Sequence, residues 1–382
     1  MTLPLPLGRT GDRRWLAVIG SVVLAGAGLI LWLGRGASFF HDEWYYICGR
    51  ALSDPGSWLL PHNEHLVLLH VIAYRALVEA FGLGSYLPFQ IALVLTHVAV
   101  VGGVYALVSR HAGRWPAAGA AAVMLVLGSG YTNLFWAFQI GFVGATALGL
   151  WALVALPERP RLATLLLIAA VATQGVGLFF IAAAGVYLIV AGRVRSIGWL
   201  AVPAATYGAW ALLLRSSIDV RGQIDVVGMP RFAARGVIAA AAGTMGIPTV
   251  GAAVAAAALV ASRPTAWKSP LVVGCAAGLL AEFALIGLVR QGFGAPNAPH
   301  YIYVGAAFLL PIAATLLASA RLRWVGVVLL VIAFSANLNL LIRHGLTWKA
   351  ETDALRAKGS DVVPPGVCRP TPAMNNQQPG LS

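Results

Sequence analysis

Residues 15–33 read WLAVIGSVVLAGAGLILWL, and after a short link residues 39–46 read FFHDEWYY. The first stretch has no charged side chain and is long enough to cross a hydrocarbon core, which takes about 20 residues. The second sets Asp42 and Glu43 directly behind it, bracketed by aromatic rings that favour the headgroup layer. Carboxylates are costly near hydrocarbon and are kept there for chemistry or transport. These two segments predict a membrane protein with an acidic group at the rim of its first crossing.

Composition carries the same reading to the whole chain. Charged residues make up 10% and hydrophobic ones 59%, with a mean hydropathy of +0.81, too little charge to coat a soluble domain. The 43 glycines lie within apolar runs, where small residues let helices approach closely in lipid. A net charge of +13 would suit a nucleic-acid binder if it formed one patch. Instead the basic residues sit in short clusters between apolar runs, so nucleic acid is excluded as a partner. Cys48, Cys275 and Cys368 lack metal-ligand spacing. Cys275 reads as a small apolar filler, and a bridge between Cys48 and Cys368 would need both to face an oxidising space. Arg9, Arg13 and Arg14 before the first run resemble the start of a signal peptide. That run is longer than a signal h-region, so it is read as an uncleaved span.

The fold class predicted is all-α, a polytopic transmembrane bundle of about eleven crossings. They fall near 15–34, 86–109, 116–133, 138–156, 162–174, 177–192, 197–215, 233–260, 270–289, 301–319 and 324–342. The pair 162–174 and 177–192 is short and is also readable as one element bent at Thr173-Gln174-Gly175. With the N-terminus cytoplasmic, Arg9, Arg13 and Arg14 share a side with Arg110 and Arg114, Arg159 and Arg161, and Arg193 and Arg195. Arg263, Lys268, Arg321 and Arg323 join them, as the positive-inside rule requires. The protein is thus expected in the plasma membrane with its active face exoplasmic. Residues 62–81 put His62, His65, His70, Tyr74, Arg75 and Glu79 on one side and Leu66, Leu69, Ala73, Leu77 and Ala80 on another. We read this as an amphipathic helix in the interface, because a crossing here would move every later basic pair outside. The domain boundary is set at 345: residues 1–345 form the bundle, with an outer loop at 35–85, and 346–382 read as a disordered tail.

Only 13 acidic residues exist, and the first outer loop holds Asp42, Glu43, Asp54, Glu64 and Glu79. It also holds His41 and the run Pro61-His62-Asn63-Glu64-His65. Carboxylates and imidazoles together can take protons near neutral pH, or simply solvate an interfacial helix. The spacing is not that of a zinc motif, and a divalent cation stays open as a cofactor. Asn133, Trp136 and Gln139 form a polar-aromatic cluster at an outer turn, readable as a loop cap or a sugar platform. Glu282, deep in a span, is a functional suspect by position alone.

A first span, an aromatic-flanked Asp-Glu in a long outer loop and then an amphipathic helix resemble the GT-C membrane glycosyltransferases. These include protein mannosyltransferases and lipid A aminoarabinose transferases. The resemblance covers roughly residues 10–345 and rests on Phe40-His41-Asp42-Glu43-Trp44, on Pro61-His62-Asn63-Glu64-His65, and on the segment from Arg290 to Tyr303. Better-known members carry a folded soluble C-terminal domain that this sequence lacks. The likeness implies transfer of a sugar from a polyprenyl-phosphate donor to a lipid, glycan or protein acceptor. Asp42 would be the general base and Glu43 would orient the acceptor or tune Asp42. His41, His62, Glu64, His65, Arg290, His300 and Tyr301 would bind substrate, with Arg215 and Arg221 as further cations for the leaving phosphate. The alternative is a transporter or lipid flippase coupled through Glu282, although no repeated halves are visible.

Overall fold

The computed structural model describes residues 10–39, 42–214, 224–247, 251–253, 256, 268–289, 295–318 and 322–357. Among these the chain is helical and contains no strand. In chain order the helices are α1 (Thr10–Leu33), α2 (Glu43–Cys48), α3 (Pro55–Trp58), α4 (Leu68–Phe81), α5 (Leu87–Ala112) and α6 (Arg114–Leu125). They continue with α7 (Thr132–Phe135), α8 (Ile140–Ala155), α9 (Pro160–Thr173), α10 (Gly177–Val190), α11 (Ala201–Leu213) and α12 (Met229–Met245). The last three are α13 (Pro270–Val289), α14 (Pro299–Leu317) and α15 (Arg323–Ala357).

Each predicted crossing overlaps one of these helices; at 233–260 that helix is α12, which ends at Met245, and most of the second half of this crossing lies outside the described residues. Among the described residues, six segments are long and apolar enough to cross a membrane: Leu87–Ala112, Ala137–Ala155, Val194–Leu213, Pro270–Val289, Pro299–Leu317 and Arg323–Ala354. Shorter apolar helices accompany them, including α9 and α10. The protein is an integral membrane protein with an all-α bundle. The short pair resolves as two helices: α9 stops at Thr173, Gln174 is extended, and α10 starts at Gly177. The tail boundary needs moving, because α15 runs through Ala357, well past residue 345.

The predicted crossing at 116–133 is interrupted. α6 ends at Leu125, and Gly128-Ser129-Gly130 forms a 3₁₀ turn before α7. Irregular backbone at this depth needs protein partners, because lipid supplies none. His97 of α5 supplies one, bonding its Nε2 to the Leu125 carbonyl at 3.2 Å. A carbonyl only accepts, so Nε2 carries the proton and Nδ1 accepts from the Tyr303 hydroxyl at 2.7 Å. Asn337 of α15 supplies more. Its Oδ1 accepts from the Ser129 N–H, and its Nδ2 donates to the carbonyls of Thr244 and Ala333. The Ser129 hydroxyl donates to the Gly243 carbonyl at 2.8 Å. Gly128 makes this closeness possible, since a Cβ there would meet the Leu341 nitrogen at 2.1 Å.

One end of the bundle gathers the loop segments. Gly34 at the end of α1 packs on Gln90 early in α5, and Leu33 packs on Gly345 late in α15. At this end α4 has 14 residues, or about 21 Å at 1.5 Å per residue. Its helix starts at Leu68, so residues 62–67 predicted as helical are loop. His70, Val71, Tyr74 and Arg75 are buried against the protein, while Leu69, Ala73, Ala76 and Ala80 are exposed. The helix therefore docks by its polar face.

The interior Asn337 node predicts a measurable loss. Asn337→Leu strands the Ser129 amide and at least one carbonyl, each costing about 1–3 kcal/mol when buried. The detergent-purified variant is expected to melt several degrees below wild type, and an unchanged melting temperature would contradict the node.

Candidate active site

The two adjacent acids have opposite environments. Glu43 opens α2 and is wholly buried, at 0% exposure. Its Oε1 accepts from the Tyr74 hydroxyl of α4 at 2.6 Å and from the Tyr86 hydroxyl at 2.8 Å. The Tyr86 oxygen in turn accepts from the Ala137 N–H at 2.8 Å. One carboxyl thus joins α2, α4, the head of α5 and the turn after α7. Burial, helped by the charge of Glu43 against Tyr74, holds the Tyr74 phenol far above its usual range, so it stays a donor. Arg75 reinforces the docking of α4 by donating to the Ile47 carbonyl at the end of α2.

Asp42 faces the other way. It occupies the N-cap position of α2, but its side chain makes no capping hydrogen bond. At 26% side-chain exposure, its Oδ2 stands 3.8 Å from the Nε2 of His62. His62 comes from the run 61–65, which closes as a tight hairpin: the His62 and His65 N–H groups each donate to the other residue's carbonyl at 3.1 Å. Asn63 and Glu64, the central pair, have φ of +46° and +62°, a mirror-image turn that suits Asn. For Glu64 this backbone costs roughly 1–2 kcal/mol. The turn is latched from α11, whose Tyr207 hydroxyl donates to the Glu64 carbonyl and whose Trp210 donates to the Leu59 carbonyl. His65 lies against Gly175 in the break between α9 and α10, where a Cβ would meet Nδ1 at 2.5 Å.

Arg50 shapes the intervening loop. Its guanidinium is buried and donates to the carbonyls of Ser57, Leu60 and Pro61, folding residues 50–61 back onto α2. His62 then packs among Tyr45, Tyr46 and Phe138, with ring centroids 5.3–5.6 Å away. His70 of α4 joins this cluster, its Nδ1 sharing a 3.2 Å hydrogen bond with the Tyr46 hydroxyl. Burial above all, then the neighbouring His62 and Arg50, pushes His70 down to about 3.

His300 opens α14 and touches Phe142, whose neighbour Gly141 abuts His70, so it reaches the same end of the bundle. Tyr301 is buried beside His300, and Tyr303 lies deeper on His97, so neither forms an aromatic belt. His41, Arg290, Arg215 and Arg221 fall outside the described residues. Cys48 is disulfide-bonded and Cys275 is a free, buried thiol; Cys368 lies outside the described residues. Sequence reasoning passed over Arg50 and Tyr46, whose roles depend on contacts across loop and helix that no local spacing encodes. Asn133 and Gln139, in the turn after α7, are buried, and among the described residues Asn133 Nδ2 and Gln139 Oε1 lack a hydrogen-bond partner. Among the described residues, no three His, Cys, Asp or Glu side chains gather to hold a metal ion. Glu282 in α13 is fully buried, and neither oxygen has a hydrogen-bond partner among the described residues.

The bundle, with an acid-bearing loop folded over one end, has a membrane fold that is also found among solved structures. Crystal structures of ArnT from Cupriavidus metallidurans share it. The undecaprenyl phosphate-bound form matches at a TM-score of 0.57 and 16% identity, over 94% of this chain and 81% of that one. The apo form matches at 0.57 and 15%, over 92% and 80%. At that identity the likeness is one of fold. No family model matches the sequence, and no characterised protein matches it.

The depressed His70 gives a signed pH dependence. Above the usual imidazole value near 6.5, neither the folded nor the unfolded chain protonates it. Between 6.5 and about 3 only the unfolded chain does, so stability falls as pH falls through that window. The slope contributed is up to about 1.4 kcal/mol per pH unit. Melting curves across this range are expected to be flatter for His70→Gln than for wild type, and parallel curves would refute the assignment.

Proposed function

We propose that this chain transfers a sugar from a polyprenyl-phosphate donor to an acceptor hydroxyl on the exoplasmic side of the plasma membrane, with Asp42 as general base. The observation that carries the reading is the division between the two acids. Glu43 is held inside by two tyrosines, whereas Asp42 keeps a solvent-reachable carboxylate that caps nothing. The fold shared with ArnT, crystallised with undecaprenyl phosphate, supports the donor class. As the acceptor oxygen bonds to the anomeric carbon, its proton passes to Asp42. The bond from that carbon to the phosphate oxygen breaks, and its electron pair leaves with the phosphate. Attack opposite the leaving group inverts the anomeric centre. His65 and His300, brought to the same end of the bundle, are the described residues suited to the leaving anion, with His41 and Arg290 as sequence candidates. Glu43 is assigned to holding α2, and Asp42 with it, in place.

Gene deletion followed by mass spectrometry of envelope glycans and glycolipids is expected to reveal one missing sugar and its acceptor. Asp42→Asn is expected to lower transfer at least about 100-fold while expression and melting temperature hold. Product formed at the wild-type rate in that variant would remove Asp42 from the mechanism.

The carboxyl of Glu282, unpartnered among the described residues, favours a second reading, coupled movement of a lipid-linked substrate. Reconstituted protein that moves such a lipid, and loses this with Glu282→Gln but not with Asp42→Asn, would establish it instead.

A further inference from the structure

Among the described residues, His62 Nε2 is buried without a hydrogen-bond partner, and the Asp42 carboxylate 3.8 Å away is the group it meets. That distance exceeds a direct hydrogen bond and is closed by a small rotation of either side chain or by one bridging water. The ring itself is fixed, wedged among Tyr45, Tyr46 and Phe138, with its backbone locked by the 62–65 hairpin and by the Arg50 clamp on Pro61. A nitrogen held this firmly and left unpaired is placed for a proton that arrives only during turnover.

We infer that His62 is the proton partner of Asp42: with Nε2 unprotonated at the outset, it relieves the carboxyl of the acceptor's proton after transfer. This rests on the reading of Asp42 as base and adds the route by which the base is restored. The proton leaves the acceptor oxygen for an Asp42 oxygen as the glycosidic bond forms. It then moves to His62 Nε2, giving an imidazolium, and is lost to water on the open side of Asp42. Nothing is oxidised or reduced, and the carboxylate returns to its starting state.

The surroundings suit one mobile proton at this place. The groups facing His62 are Asp42, Tyr45 and Tyr46 from α2 and its cap, Arg50 from the loop beyond, His65 across the hairpin, and His70 from α4. Tyr46 is driven well above its ordinary value by burial and remains a neutral phenol. His70 is kept neutral, so it does not compete for the proton. Arg50 is bound to three backbone carbonyls.

The test uses the full-length protein in detergent, with the donor and acceptor identified by the deletion experiment. His62→Gln keeps a polar side chain of similar reach but cannot exchange a proton near neutral pH. It is expected to lower kcat about 10- to 100-fold, the size of a lost proton-transfer aid, with KM within twofold. The acid limb of its kcat profile is expected to move toward lower pH. A purely structural His62 would change the rate without moving that limb. In parallel, histidine-labelled protein is titrated by NMR, with the His62 signal assigned by its loss in His62→Gln. Asp42→Asn is expected to lower the His62 midpoint by at least half a pH unit. An unmoved limb together with an unmoved midpoint overturns the inference. If His62→Gln melts early, the midpoint in Asp42→Asn decides alone. Continued transfer by Asp42→Asn overturns the base assignment itself, a separate result.

Discussion

A carboxyl group buried beside a lipid-facing bundle is tolerable only if hydrogen bonds replace the water it has lost. Glu43 meets this condition with the hydroxyls of Tyr74 and Tyr86, and the arrangement of the loop end follows from it. Tyr74 can reach Glu43 only if α4 turns its polar side inward, which also brings His70 to Tyr46 and Arg75 to Ile47. Tyr86 can reach it only if the loop returns over the head of α5, where its oxygen takes the Ala137 amide. With α2 pinned by its first residue, the preceding one is turned outward. Asp42 is thus exposed as a geometric consequence of Glu43 being hidden.

Much of this was legible in the sequence. Long uncharged runs separated by arginine pairs specify a bundle whatever the tertiary detail, and each predicted crossing overlaps a helix. The Asp-Glu pair also stood out, because acids at a span's rim are rare. The opposite environments of its two members were not legible: adjacent residues at the start of a helix look alike until it is known which side packs. The direction in which α4 docks was hidden for the same reason. Its periodicity is real, but periodicity gives two faces and does not say which one meets protein when lipid also accepts apolar groups. The hairpin at 61–65 escaped because Glu is an unfavoured residue at a left-handed position, and its geometry is imposed by Arg50, Tyr207 and Trp210 from elsewhere.

The interrupted crossing after α6 follows the same logic at greater depth. The chain leaves helical geometry at Val126, and two polar side chains from distant helices, His97 and Asn337, take up the backbone groups thereby released. Each is a polar residue within an apolar run, and each has a structural task. Glu282 belongs to the same sequence class without such a partner among the described residues. Polarity inside a span therefore does not by itself separate framework from function; the local hydrogen bonding does.

The final helix has a mechanical consequence. At 35 residues α15 is about 52 Å long, against a hydrocarbon thickness of about 30 Å. Upright in the membrane, roughly two fifths of it projects like a mast beyond the hydrocarbon, on the side where the Tyr131 ring lies flat against His344 and Trp348 stands over Phe135. A rigid spar braced in this way makes a wall beside the loop end, and whatever approaches the carboxylate from that flank must pass along it.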